Sequence, residues 1–284
     1  MRWTAGRDRD NIEDRRGHRG GRFGGGAAPV GIGGLLLLLI LSWATGTNFL
    51  QLLDTGDGAM VESSAPIDSS PGEEQLIDFV NAVSGDTQDV WTQLLGSRYQ
   101  RAKVVIFRDV TSTACGQGAA ATGPFYCPAD RQVYLDLGFF DELDRRFGAP
   151  GDFAQAYVIA HEYGHHVQTL LGYDQRVGND RAGANSAAVA LELQADCFAG
   201  VWGHAASQGG RFERGQVELD PGDTDEALRA AAAIGDDRLQ RMAQGRVQPE
   251  RFTHGTSAQR VEWFRRGFDT GDPRQCDAFA ATQR

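Results

Sequence analysis

Apolar residues recur at helical spacing through most of the chain beyond residue 73, and the breaks between the runs fall at glycines. Residues 73–96, "EEQLIDFVNAVSGDTQDVWTQLLG", carry that period, with Gly85 and Asp86 expected to divide it into two helices. Two short runs have strand character instead, "AKVVIF" (102–107) and "QVYLDL" (132–137). They predict a small antiparallel sheet whose strands are separated by a glycine-rich loop. "GAPGDFAQAYVIAHEYGHHVQTLLG" reads as one long helix, with Asp152 as N-cap and Gly172 as its stop. Another helix is expected from about Ser186, closed by Gly209 and Gly210. "DTDEALRAAAAIGDDRLQRMAQG" continues the helical pattern, and Thr256 to Gly267 adds a last helix. The fold class this predicts is α+β, mostly helical, with a small antiparallel sheet.

One stretch departs from that alternation. No charged residue occurs from Phe23 to Leu53, and "APVGIGGLLLLLILSWATG" within it is apolar enough for a bilayer core roughly 30 Å thick at 1.5 Å rise per residue. Seven arginines, among them Arg15, Arg16, Arg19 and Arg22, precede it, and no Lys or Arg follows until Arg98. By the positive-inside rule, residues 1–26 are expected to be a cytoplasmic arm and 27–48 a single transmembrane helix, with the remainder extracytoplasmic. Residues 49–72, rich in Ser, Pro, Gly and acid, read as a flexible stalk, and 73–284 as the folded domain. A cleaved signal peptide with Ser42 and Ala44 at its cleavage site, and a buried core helix, are the alternatives.

Composition adds two constraints. A formal net charge of −10 sets aside a general nucleic-acid binder, which needs a basic surface. Cys115, Cys127, Cys197 and Cys276 form an even set beyond the apolar stretch, as expected of disulfides outside the cytoplasm. Of three possible connectivities, Cys115–Cys127 and Cys197–Cys276 are favoured, and no C-x-x-C pair suggests a cysteine metal site.

Candidate chemistry is concentrated in "HEYGHHVQ", residues 161–168. His161 and His165 are four apart on the expected helix, so both imidazoles can reach one zinc ion. Glu162, offset by one residue, can act as general base toward a water at the metal without ligating it. A third ligand is expected from "ELQAD", where Glu192 and Asp196 again share a helix face. Glu192 would bind the metal and Asp196 would accept the free ring N–H of a ligand histidine. Acids at that spacing usually form a solvated face, but the flanking "AAVALELQADCFAGVW" is apolar and a buried carboxylate needs a partner. His166 points away and reads as a packing or hydrogen-bonding residue, His204 as a helix-end histidine, and Gly164 as a point of close helix approach. His254, in "FTHGTSAQR", has two readings: a donor to an oxyanion, or part of the cap of the final helix.

"HEYGHHVQ", "ELQADCFAGVW", "GPFYCPADRQVYLDLGFF" and "FTHGTSAQRVEWFRRGF", in this order, resemble the bacterial neutral zinc metallopeptidase family of membrane-anchored proteins. "HEYGH" with a downstream E-x-x-A-D is also similar to the gluzincin arrangement. The resemblance implies a zincin-like core, Zn2+ held by His161, His165 and Glu192, Glu162 as catalytic base, and Asp196 behind the ligands. The function expected is a membrane-anchored extracytoplasmic zinc endopeptidase acting on peptide or protein substrates, with an extended substrate paired along a strand edge, "QVYLDL" being the better candidate. The alternative is a non-catalytic, zinc-stabilised binding or chaperone-like module at the cell envelope, with a closed ligand shell. Zinc hydrolysis of another acyl substrate, such as a cell-wall amide, is a third reading.

Overall fold

The computed structural model describes residues 1–5, 9–19, 63–64, 67, 69–119, 123–214 and 216–282. In chain order its strands and α-helices are β1 (Ile12–Asp14), β2 (His18–Arg19), β3 (Ser63–Ser64), α1 (Pro71–Leu95), β4 (Val104–Phe107), β5 (Val110–Thr113), β6 (Gly116–Ala119), β7 (Phe125–Cys127), β8 (Gln132–Asp136), α2 (Gly138–Arg145), α3 (Asp152–Leu171), α4 (Ala187–Ala206), α5 (Asp223–Ala233), α6 (Asp236–Gln244), α7 (Ser257–Thr270) and α8 (Ala278–Thr282). The expected anchor, 27–48, lies outside the described residues, as does most of the expected stalk. Among the described residues no helix is long and apolar enough to cross a membrane.

The fold is mostly helical with a small sheet, but the sheet is mixed rather than antiparallel. Its order is β1-β4-β8-β7. β4 runs parallel to both β1 and β8, and only β7 is antiparallel to its neighbour β8. The reason lies between the two predicted strands: the chain spends that interval on the β5–β6 hairpin and β7, so β8 re-enters in the direction of β4. The Cys115–Cys127 disulfide ties the hairpin tip to the end of β7, and Cys197–Cys276 ties α4 to the chain's tail.

α1 runs unbroken for 25 residues through Gly85 and Asp86, where a break was expected. Both residues serve contacts instead. Asp86 is buried, with Oδ1 accepting from Arg211 Nη2 at 2.5 Å and Oδ2 from Trp202 Nε1 at 2.9 Å. A Cβ on residue 85 would stand 3.1 Å from Asn11 Nδ2, so glycine leaves room for the N-terminal segment. Tertiary pairing here outweighs weak helix propensity.

The first residues are not a separate arm. β1 extends the domain's sheet, with Ile12 opposite Val104 and Asp14 opposite Ile106. Trp3 packs edge-on against Phe79 at 5.4 Å, and Arg9 pairs with Glu74 and Asp78. Arg16 is buried among Asp14 (2.7 Å), Glu74 (2.8 Å) and Glu73 (3.2 Å), which hold its guanidinium firmly protonated. Residues 12–14 therefore form part of the domain's own sheet.

Candidate metal centre

α3 and α4 begin and end where local chemistry dictates. Gly172, in the left-handed region at φ 77°, stops α3. Its N-cap is Gly151 rather than Asp152, and Glu226 on α5 supplies the missing acceptor by taking the Phe153 N–H at 3.1 Å. Ser186 caps α4, its side chain accepting from Val189 N. The two helices cross closely at Gly164, where a Cβ would meet the Ala195 carbonyl oxygen at 2.9 Å. Glycine at that position, costly in a helix by about 1 kcal/mol relative to alanine, brings the HEYGH face against ELQAD.

At this crossing the histidine rings of His161 and His165 stand 4.8 Å apart, edge to face. Glu192 reaches both from α4: its Oε2 lies 3.3 Å from His161 Nε2 and its Oε1 3.5 Å from His165 Nε2. The potential ligand atoms of these three residues all fall within 4.8 Å of one another. On the far side of the first ring, His161 Nδ1 donates to Asp196 Oδ1 at 2.9 Å. Glu162 is buried, and its charge reaches His165.

A family described as "Putative neutral zinc metallopeptidase" matches residues 1–279. The chain belongs to this family. Zinc is accordingly the metal of this family, and the match includes the N-terminal strand that the fold builds into the domain. Among its relatives is Escherichia coli (strain K12) "Uncharacterized protein YpfJ", 48% identical over 292 residues, covering 98% of this chain and 99% of that protein. Mycobacterium tuberculosis (strain H37Rv) "Uncharacterized protein Rv2575" is 46% identical over 206 residues, covering 71% and 70% of the two chains. No solved structure matches the chain.

The donor set at the α3–α4 crossing fits zinc: two imidazole nitrogens, one carboxylate, and a second carboxylate fixing a ligand tautomer. Electrostatics agree. Burial alone would depress the His161 pKa, but the Asp196 carboxylate and the Glu192 hydrogen bond overcome it and raise it to about 10. Burial would likewise raise Glu192, yet the charges of His165 and His254 hold it well below the usual carboxylate range. The centre is thus built to hold positive charge, which a metal supplies in place of protons. Zinc competes with the proton that the Asp196 and Glu192 carboxylates favour on His161, so affinity should rise with pH. Calorimetry at pH 7 in buffers of different ionisation enthalpy should show net proton release on zinc binding; identical heats in every buffer would contradict this.

Asp196 is itself held by residues that the motifs did not single out. Its Oδ2 accepts from Arg260 Nε at 2.9 Å, and its Oδ1 from Arg260 Nη2 at 2.9 Å and Tyr157 OH at 2.5 Å. Burial would raise its pKa, but Arg260 and His161 keep it below the usual range. A signal for Arg260 existed in the sequence. It precedes Trp263 and Phe264 by three and four residues, on the apolar face of α7, and a charge on such a face needs a buried partner.

His254 stands at the rim, with its side chain 49% exposed. Asp236, the first residue of α6, gathers its loop: Oδ2 accepts from the backbone N–H of Thr253, His254 and Gly255 at 2.6, 2.7 and 3.2 Å. His254 Nδ1 lies 3.3 Å from Asp236 Oδ1. Burial would lower the imidazole pKa, but the Glu192 charge and the Asp236 hydrogen bond raise it. The helix cap is a separate feature, since Thr256 and Gln259 form a reciprocal capping box on α7.

The remaining histidines have structural partners. Buried His166 donates from Nε2 to the Gln100 carbonyl at 2.6 Å and accepts at Nδ1 from Tyr126 OH at 3.0 Å, and burial lowers its pKa. His204 donates to the Phe268 carbonyl at 2.7 Å. The side chain of His18 lies outside the described residues. A second acidic cluster, Asp152, Asp223 and Glu226, is met by protein groups: the Met1 amine stands 3.2 Å from Asp152 and 3.1 Å from Asp223, and Glu226 caps α3.

Proposed function

We propose that this chain is an extracytoplasmic, membrane-associated zinc endopeptidase in which His161, His165 and Glu192 bind the metal and Glu162 is the general base. The observation that carries this reading is the convergence of two imidazole Nε2 atoms and one carboxylate at the α3–α4 crossing. Zinc, when bound, acidifies water and polarises a substrate carbonyl. Glu162, one residue from the first ligand, takes the proton from water and returns it to the leaving amine. His254, anchored through Asp236 and raised in pKa, would donate to the carbonyl oxygen as it gains charge.

Substrate pairing moves from the strand expected. β8 lies between β4 and β7 and has no free edge, whereas β7 is the terminal strand of the sheet. Tyr126 on β7 hydrogen-bonds His166 on α3, so this edge runs beside the HEYGH helix. An extended peptide adding to β7 would have its backbone held beside α3. The direct test is digestion of a broad peptide library by the purified, zinc-loaded chain. New termini should appear, vanish with a chelator and return with added zinc; an undigested library would refute peptidase activity.

Two disulfides support an extracytoplasmic domain, and the uncharged stretch 23–53 supports membrane association. Because β1 pairs with β4, the N-terminal strand belongs on the domain's side. Cysteines introduced at exposed Asp10 and exposed Arg241 should react equally with a membrane-impermeant maleimide in intact cells. Protection of Asp10→Cys alone would restore the single-crossing topology.

A further inference from the structure

The two ligand histidines are supported differently. His161 rests on a charged carboxylate, Asp196, whereas His165 rests on an amide. His165 Nδ1 lies 2.8 Å from Gln168 Oε1. Gln168 is 1% exposed, and its Nε2 donates to the Leu191 carbonyl at 2.6 Å and to Gln194 Oε1 at 3.2 Å. Gln194, also 1% exposed, donates from Nε2 to the Cys276 carbonyl at 2.9 Å.

The direction of this chain is forced. A backbone carbonyl only accepts, so Leu191 requires the nitrogen of Gln168 on its side and leaves Oε1 facing the imidazole. The Cys276 carbonyl in the same way requires the nitrogen of Gln194, which turns its Oε1 toward Gln168. An oxygen at Nδ1 demands a proton there, and the lone pair of His165 is left on Nε2, the atom that faces Glu192. Cys276 is fixed in turn by its disulfide to Cys197, which sits on α4 next to Asp196.

We propose that Gln168 and Gln194 are positioning residues, a buried amide relay that fixes the His165 tautomer for zinc, with its far end held by the Cys197–Cys276 disulfide. The proposal rests on the zinc reading of the site given above. It explains why the last turns of the chain are bonded covalently to the helix that carries Glu192: the relay ends on their backbone.

The test is zinc affinity by competition with a chromophoric chelator, together with the imidazole ¹⁵N and N–H resonances of the zinc-loaded protein. In the parent, His165 should show a protonated, slowly exchanging Nδ1 and a metal-bound Nε2. Gln168→Met, close in size and without the acceptor, should weaken zinc binding by about 10- to 100-fold and abolish the slow His165 Nδ1–H signal while the His161 signal persists. Gln194→Met should act in the same direction with a smaller effect, and reduction of the disulfide should match it. The idea is overturned if Gln168→Met binds zinc within about twofold of the parent, against the weakening expected of a lost ligand support, or if the parent's His165 is bound through Nδ1, a result that needs no variant to fold. A parent that binds no zinc would refute the metal reading itself and take the relay with it.

Discussion

Glu162→Gln is expected to lower peptide hydrolysis by about 10²- to 10⁴-fold, the range associated with loss of a positioned general base, while leaving zinc bound. The amide keeps the size of the side chain but cannot accept a proton at neutral pH. Because Glu162 is adjacent to, and not among, the three residues proposed to bind the metal, zinc stoichiometry and substrate KM should stay close to those of the parent while kcat falls. That split separates a base from a ligand, since loss of a ligand would release the metal. Steady-state kinetics with metal analysis on the same samples would show it. A variant as active as the parent, or one that has lost its zinc, contradicts the assignment.

The largest stability effect is expected from Arg260→Met. Arg260 is 2% exposed and fully engaged with Asp196, which is itself fully buried, and its Nη2 also donates to Tyr157 OH at 3.2 Å. Removing the guanidinium leaves Asp196 buried with only Tyr157 and His161 as partners. Breaking a buried pair in this way costs about 3–5 kcal/mol. Urea unfolding of the metal-free protein at neutral pH measures it, and the double variant Arg260→Met, Asp196→Leu should recover much of the loss because no uncompensated charge remains. A cost below about 1 kcal/mol for the single change, the level of an exposed pair, would mean that Asp196 is stabilised elsewhere.

These two outcomes test features of unequal visibility in the sequence. The H-E-x-x-H spacing, the starts of α4 and α7, the stop at Gly172 and the Cys115–Cys127 pairing are local or nearly so, and were legible, while Cys197–Cys276, across 79 residues, was the pairing left once those two cysteines were joined. Glu192 and Asp196 were legible because two acids in an apolar helix demand partners. What escaped was non-local. Arg260 meets Asp196 across 64 residues, and Asp86 meets Arg211 across 125, so neither pairing leaves a mark in either helix alone. The arginines near the N-terminus read as a solvated arm because their acidic partners, Glu73, Glu74 and Asp78, begin more than fifty residues later. Strand direction failed for a related reason. Periodicity identifies a strand but not its sense, which here depends on the path taken through the β5–β6 hairpin and β7. Gln168 stood inside "HEYGHHVQ" throughout, yet its role appears only when Leu191 and Gln194 are brought beside it.

One zinc ion is expected at the α3–α4 crossing, with a coordination position left for water. Diffraction from zinc-loaded crystals at wavelengths on either side of the zinc absorption edge tests it most directly. One anomalous peak is predicted, about 2.0–2.2 Å from His161 Nε2, His165 Nε2 and a Glu192 oxygen, with Glu162 and His254 off the metal. A peak among Asp152, Asp223 and Glu226 instead, or a shell closed by His254 as fourth ligand, would contradict an open zinc site at this crossing.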